Sequence, residues 1–129
     1  VDYGRNEAED GSAFAEFENS LFIYATIMSR VTEDKAILDA GLKALSIDSG
    51  MPRLWDTPGV EFVGASDQHG KLSIDRNITQ GNRDLRVGDK VQVVPSHVDP
   101  TDNLYDWYVG IRDGHVESLW PITARGMLR

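Results

Sequence analysis

The sequence predicts an all-β domain, barrel or sandwich, with mainly antiparallel strands and at most one or two short helices. Three observations carry this expectation. Short runs rich in Val, Ile, Leu and aromatic residues recur along the chain, turn residues close each of them, and no sustained helical period runs between them. In chain order, residues 5–20 are acidic and small (Glu7, Glu9, Asp10, Gly11, Ser12, Glu16, Glu18) and predict a mobile surface loop. Strands are expected at residues 21–30, 35–39, 60–66, 71–74 and 90–95, each a β-branched or aliphatic run bounded by turn residues. One helical turn is expected near residues 101–106, with Thr101 or Asp102 as its N-cap. Two further strands, residues 107–112 and 115–120, flank Asp113-Gly114 and read as a tight hairpin. Val87-Gly88-Asp89-Lys90 places a second glycine where a turn needs positive φ.

Composition bounds the function. A chain of 129 residues is one domain, able to bury roughly two-thirds of its unfolded surface. Its net charge of −8 and scattered basic residues argue against a nucleic-acid partner, which needs clustered Lys and Arg to displace counterions. The absence of cysteine removes disulfides, zinc ribbons and thiol nucleophiles. The longest apolar run, residues 21–28, is interrupted by Thr26 and falls well short of the ~20 residues a bilayer span requires. No membrane partner is expected, and the cytoplasm is the expected compartment. The opening Val1-Asp2-Tyr3-Gly4 lacks an initiator Met and any signal-peptide pattern. It reads as the start of a fragment, with an ordinary boundary of a small protein as the alternative.

The segment Val93-Val94-Pro95-Ser96-His97-Val98-Asp99-Pro100-Thr101 carries the sharpest chemical pattern. If it is extended, His97 and Asp99 project to one side while Val98 points to the other, and an imidazole with a carboxylate suits manganese, magnesium or zinc. The plainer alternative is the polar face of a half-buried strand ending at a proline. Gly41, in Asp39-Ala40-Gly41-Leu42-Lys43-Ala44-Leu45-Ser46, predicts a bend or a close backbone approach. Lys43 and His115 read as solvated, and His69, just before the turn glycine Gly70, is a candidate for the edge of a site. No phosphate-binding glycine loop opens a helix and no Gly-x-Ser-x-Gly elbow is present.

Several blocks together carry a resemblance: Asp2-Tyr3-Gly4-Arg5, Ala25-Thr26-Ile27-Met28-Ser29-Arg30, the Asp39 to Ser46 block, His69-Gly70, Pro95-Ser96-His97-Val98-Asp99-Pro100-Thr101, Asn103-Leu104-Tyr105-Asp106 and Trp120-Pro121-Ile122-Thr123-Ala124-Arg125-Gly126. In this order, over nearly the whole chain, they resemble the C-terminal domain of D-threonine aldolases and of the related metal-activated D-serine dehydratases. The resemblance implies residues 1–129 as a single C-terminal β domain of an alanine-racemase-type enzyme. It also implies that the (β/α)8 barrel binding pyridoxal phosphate is absent from this chain, that the chain alone is inactive, and that the enzyme is a homodimer. Removing such a barrel should leave an apolar surface patch.

Carried over by position, His97 and Asp99 fall on the family's metal ligands. The dehydratase branch has a cysteine at the second position, so Asp99, a hard oxygen donor, favours the aldolase branch and manganese or magnesium over zinc. His69 matches a family motif without an assigned role, and Tyr105 stands where relatives often have His; these two are the catalytic candidates of a chain to which the resemblance assigns no catalytic residue. The implied reaction cleaves a β-hydroxy-D-amino acid to glycine and an aldehyde, with pyridoxal phosphate as electron sink and the metal as Lewis acid toward the β-hydroxyl. The alternatives are a D-serine dehydratase domain and a stand-alone β-barrel binding module without chemistry.

Overall fold

A computed structural model describes residues 9–12, 17–78 and 84–127. Among these residues, eight strands and one short helix follow in order: β1 (Ile23–Thr32), β2 (Lys35–Leu38), β3 (Arg53–Leu54), β4 (Val60–Ala65), β5 (Gly70–Ile74), β6 (Lys90–Val94), α1 (Val98–Asp102), β7 (Trp107–Arg112) and β8 (His115–Pro121). Six strands close an antiparallel barrel in the order β1-β2-β5-β4-β3-β6, and β7-β8 form a separate two-stranded ribbon. The mainly antiparallel, barrel-like expectation holds. Of the acidic loop expected at 5–20, residues 5–8 and 13–16 lie outside the described residues; Asp10, Gly11 and Ser12 are exposed.

Side-chain alternation explains the barrel. Ala25 and Ile27 of β1, Ala36 and Leu38 of β2, Val60 and Phe62 of β4, Leu72 and Ile74 of β5, and Val91 and Val93 of β6 point inward and form one core. Register shifts interrupt the ladder between Ile27 and Ser29, between Arg30 and Thr32, and between Phe62 and Gly64. Such bulges bend strands, which a six-stranded closure requires. Strand β3 was not expected from the sequence. Its two residues are too short for a periodic pattern, yet Arg53 pairs with Glu61 and with Val94 and so closes the barrel between β4 and β6.

The glycine turns behave as expected. Asp113 and Gly114 both have positive φ (49° and 76°), the two-residue turn whose twist matches antiparallel strands. Gly88 also has positive φ, at 95°.

The end of β6 corrects two expectations. Pairing stops at Val94 because Pro95 has no N–H to donate, and residues 93–96 are all buried, which breaks the alternation. His97 then adopts an extended N-cap conformation (φ −148°, ψ 131°) and α1 begins at Val98. His97 and Asp99 are therefore not two positions on one strand face; their relation is set by the turn from an extended residue into a helix. The helix itself lies at Val98–Asp102, not near 101–106, and its N-cap is His97, not Thr101 or Asp102. Pro100 sits in its first turn, where a missing N–H costs nothing.

Candidate functional site

Chemistry-bearing side chains collect where the loop of residues 39–48 meets the segment after β6. The loop is held down by apolar burial, since Ala40 and Leu45 belong to the barrel core. Its polar edge is then stitched to residues 96–101. Ser96, 1% exposed, donates its hydroxyl to the Ser46 carbonyl at 2.8 Å. The Ser46 N–H donates to Thr101 Oγ1 at 3.1 Å, and that hydroxyl, fully buried, donates to the His97 carbonyl at 2.7 Å. Both hydroxyls buried in this crossing, those of Ser96 and Thr101, are hydrogen-bonded.

The outcome is a fixed imidazole–carboxylate contact. His97 Nδ1 lies 2.8 Å from Asp48 Oδ2, with side-chain exposures of 34% and 52%. Asp48 also accepts the Ser46 hydroxyl through Oδ1 and the Ser49 hydroxyl at 3.4 Å through Oδ2. The Ser46 hydroxyl first, and His97 second, hold the Asp48 carboxyl down at about 2. Asp99 lies exposed in the first turn of α1.

The other sequence candidates attach to the same loop by different means. The Tyr105 hydroxyl donates to the Ala44 carbonyl at 2.7 Å, and burial, with a smaller contribution from Asp39, raises its pKa. His69 contributes backbone: its carbonyl accepts the Ser66 N–H at 2.8 Å, and its turn presses on Gly41. A Cβ at Gly41 would come within 2.3 Å of the Ser66 carbonyl oxygen and 2.4 Å of the His69 nitrogen. The close approach expected at Gly41 is therefore to this protein's own turn. Lys43 pairs loosely with Asp67 at 3.7 Å, both exposed, and His115 is exposed. A surface cleft along β3 and β4, lined by residues including Met51, Arg53, Asp56 and Glu61, takes in none of these candidates.

Sequence reasoning missed Ser46, Asp48, Ser96 and Thr101. Asp48 lies 49 positions before His97, so no local spacing links them, and the marked Asp39 to Ser46 block stops short of it. Among the described residues, no three or more His, Cys, Asp or Glu side chains gather as a metal-binding group, and no helix is long and apolar enough to cross a membrane.

Comparison with known proteins bears on the same region. The family model of the serine dehydratase domain matches residues 20–111. The chain is 44% identical to D-threonine aldolase of Arthrobacter sp. over 128 residues, covering 99% of this chain and 32% of that protein. It is 43% identical to 3-hydroxy-D-aspartate aldolase of Paracoccus denitrificans over 128 residues, covering 98% of this chain and 32% of the relative. The chain thus spans about a third of the length of these relatives. The crystal structure of D-threonine aldolase from Filomicrobium marinum superposes with a TM-score of 0.80 at 43% identity, covering 92% of this chain and 32% of that one. An alanine racemase-like protein of Idiomarina loihiensis shares the fold alone, with a TM-score of 0.65 at 18% identity over 78% of this chain and 30% of that one. The resemblance read from the sequence blocks holds, and the chain belongs to the serine dehydratase domain family.

Proposed function

We propose that this chain is the C-terminal β domain of a cytoplasmic, homodimeric, pyridoxal-phosphate- and metal-dependent lyase that cleaves β-hydroxy-D-amino acids to glycine and an aldehyde. The likeness to D-threonine aldolase over almost the entire chain is the observation that carries this reading. Both aldolase relatives are named for β-hydroxy-D-amino acid substrates, which gives the substrate class. The pyridoxal barrel would lie outside this chain, which spans about a third of the length of these relatives. The exposed apolar face of β7-β8, with Trp107, Val109, Ile111, Val116 and Leu119, is the surface such a barrel would cover.

His97 and Asp99 would hold the divalent metal. They fit as part of an open site: a half-buried imidazole and an exposed carboxylate offer one borderline and one hard donor, and other positions fall to water, substrate or protein outside the chain. The oxygen donor at Asp99 favours manganese or magnesium. A bound metal would supply Lewis acidity toward the substrate hydroxyl. The residues of this chain fix where that charge sits: Pro95 and Pro100 restrict the segment on either side of His97, and the Ser96 and Thr101 hydroxyls pin its backbone to the 39–48 loop.

Titrating Mn2+ and following its electron paramagnetic resonance should show binding that weakens at least about tenfold in His97→Ala and Asp99→Ala, the scale of losing one ligand contact. In the intact enzyme both variants should lose metal-stimulated cleavage of a β-hydroxy-D-amino acid. Release of ammonia and a keto acid in place of glycine and aldehyde would assign the dehydratase reaction instead. Full activity in both variants would remove the metal assignment.

A further inference from the structure

We infer that Asp48 is the positioning residue for His97: its carboxylate accepts a hydrogen bond from Nδ1–H and thereby makes Nε2 the nitrogen that His97 offers to a metal. This rests on the metal reading above and extends it to a residue that no sequence motif marks. Three observations carry it. The contact is a hydrogen bond of good length, Nδ1 to Oδ2 at 2.8 Å. The carboxylate does not swing freely, because it also accepts the hydroxyls of Ser46 and Ser49. The backbone carrying Asp48 is locked to the backbone carrying His97 through Ser46, Ser96 and Thr101, two of them buried.

The chemistry follows from the ring. A neutral imidazole has two tautomers, and only the nitrogen without a proton can donate a lone pair to a cation. A carboxylate on Nδ1–H selects the tautomer with the lone pair on Nε2, orients the ring, and adds negative charge where a cation would bind. Metal-bound histidines commonly carry such a partner, and its removal typically costs about 10–100-fold in metal affinity.

The chain has three histidines, His69, His97 and His115, so ring 15N correlations of histidine-labelled protein can be assigned by single replacements. At a pH where all three rings are neutral, His97 should show Nδ1–H with an unprotonated Nε2. In Asp48→Ala the tautomer populations should shift toward Nε2–H, and Mn2+ affinity, read from paramagnetic broadening of the His97 ring signals, should fall about 10–100-fold. Asp48→Asn keeps the size and one acceptor oxygen, so it should fall between wild type and Asp48→Ala and covers the case in which the alanine variant folds poorly. A wild-type His97 protonated on Nε2, or an unchanged affinity in both Asp48 variants, would overturn the inference. So would complete loss of Mn2+ binding in Asp48→Ala with the tautomer unchanged, which would make Asp48 a ligand. Unchanged Mn2+ binding in His97→Ala would remove the metal reading itself, and the inference with it, while the tautomer measurement still reported whether the Asp48 contact forms.

Discussion

Thr101 shows how a single buried hydroxyl can hold a site. It accepts from the Ser46 N–H and donates to the His97 carbonyl, with no exposed surface. Thr101→Val keeps the shape and leaves both partners unanswered, so it should destabilise by about 1–3 kcal/mol in urea unfolding. Thr101→Ser keeps the hydroxyl and loses one methyl, a loss on the order of 0.8 kcal/mol. If Val proved milder than Ser, the hydroxyl would not be what matters there. Tyr108 supplies a pH signature of another kind. Its hydroxyl donates to the Asp102 carboxylate, and this contact first, burial second, raises its pKa from 10.0 to about 12. A raised folded value means that the contact stabilises fully below about 10 and fades as pH rises through about 12. An alkaline absorbance titration at a phenolate wavelength should therefore lose a step near 12 in Tyr108→Phe. Residue type made His97 legible as a candidate, but its partner was not. Asp48 reaches it through tertiary folding of a loop, and an isolated aspartate among 21 acidic residues carries no mark.

Elements were legible in proportion to their length and regularity. The runs at residues 60–66, 71–74 and 107–112 alternate or cluster β-formers and became β4, β5 and β7 within a residue or so. Two-residue β3 had no pattern to read, and α1 moved because a proline inside its first turn looks, by sequence, like a strand terminator. Glycines test the packing between elements directly. At Gly41 a methyl group would meet backbone atoms of the 66–69 turn, which cannot rotate away, so Gly41→Ala should cost about 1–3 kcal/mol and loosen the loop that carries Asp48. At Gly64, in the β4 bulge, a Cβ would meet nothing within 4 Å. Gly64→Ala should be neutral or stabilising by roughly 0.5 kcal/mol. Thermal unfolding of the two variants side by side separates a contact effect from a general effect of replacing glycine.

Across the whole molecule the two parts differ in what holds them. The barrel closes on itself, and its strands form one core with Ala40, Leu45 and Leu85 of the connecting segments. The ribbon contributes no core residue, and its directly paired Val109–Leu119 and Ile111–Val116 sit exposed on one face. Polar contacts tie it to α1 and the residue after it, Tyr108 to Asp102 and Arg125 to the Asn103 carbonyl, while the Ile122 N–H to the Asp106 carbonyl at 2.9 Å and the Arg125–Asp106 pair close its own base. A lone two-stranded hairpin is marginal in water, so the ribbon should open without the barrel. Native-state hydrogen exchange of this chain should show the amides paired between β7 and β8 exchanging on the order of 100-fold faster than those of β1, β2 and β5, because local opening there needs only a fraction of the global unfolding free energy. Replacing Ile111 and Leu119 with lysine should leave the barrel amides unchanged, since neither side chain reaches the core. Equal protection in ribbon and barrel would mean that the ribbon is packed against something, and dilution of the sample would then reveal a second copy by restoring the difference.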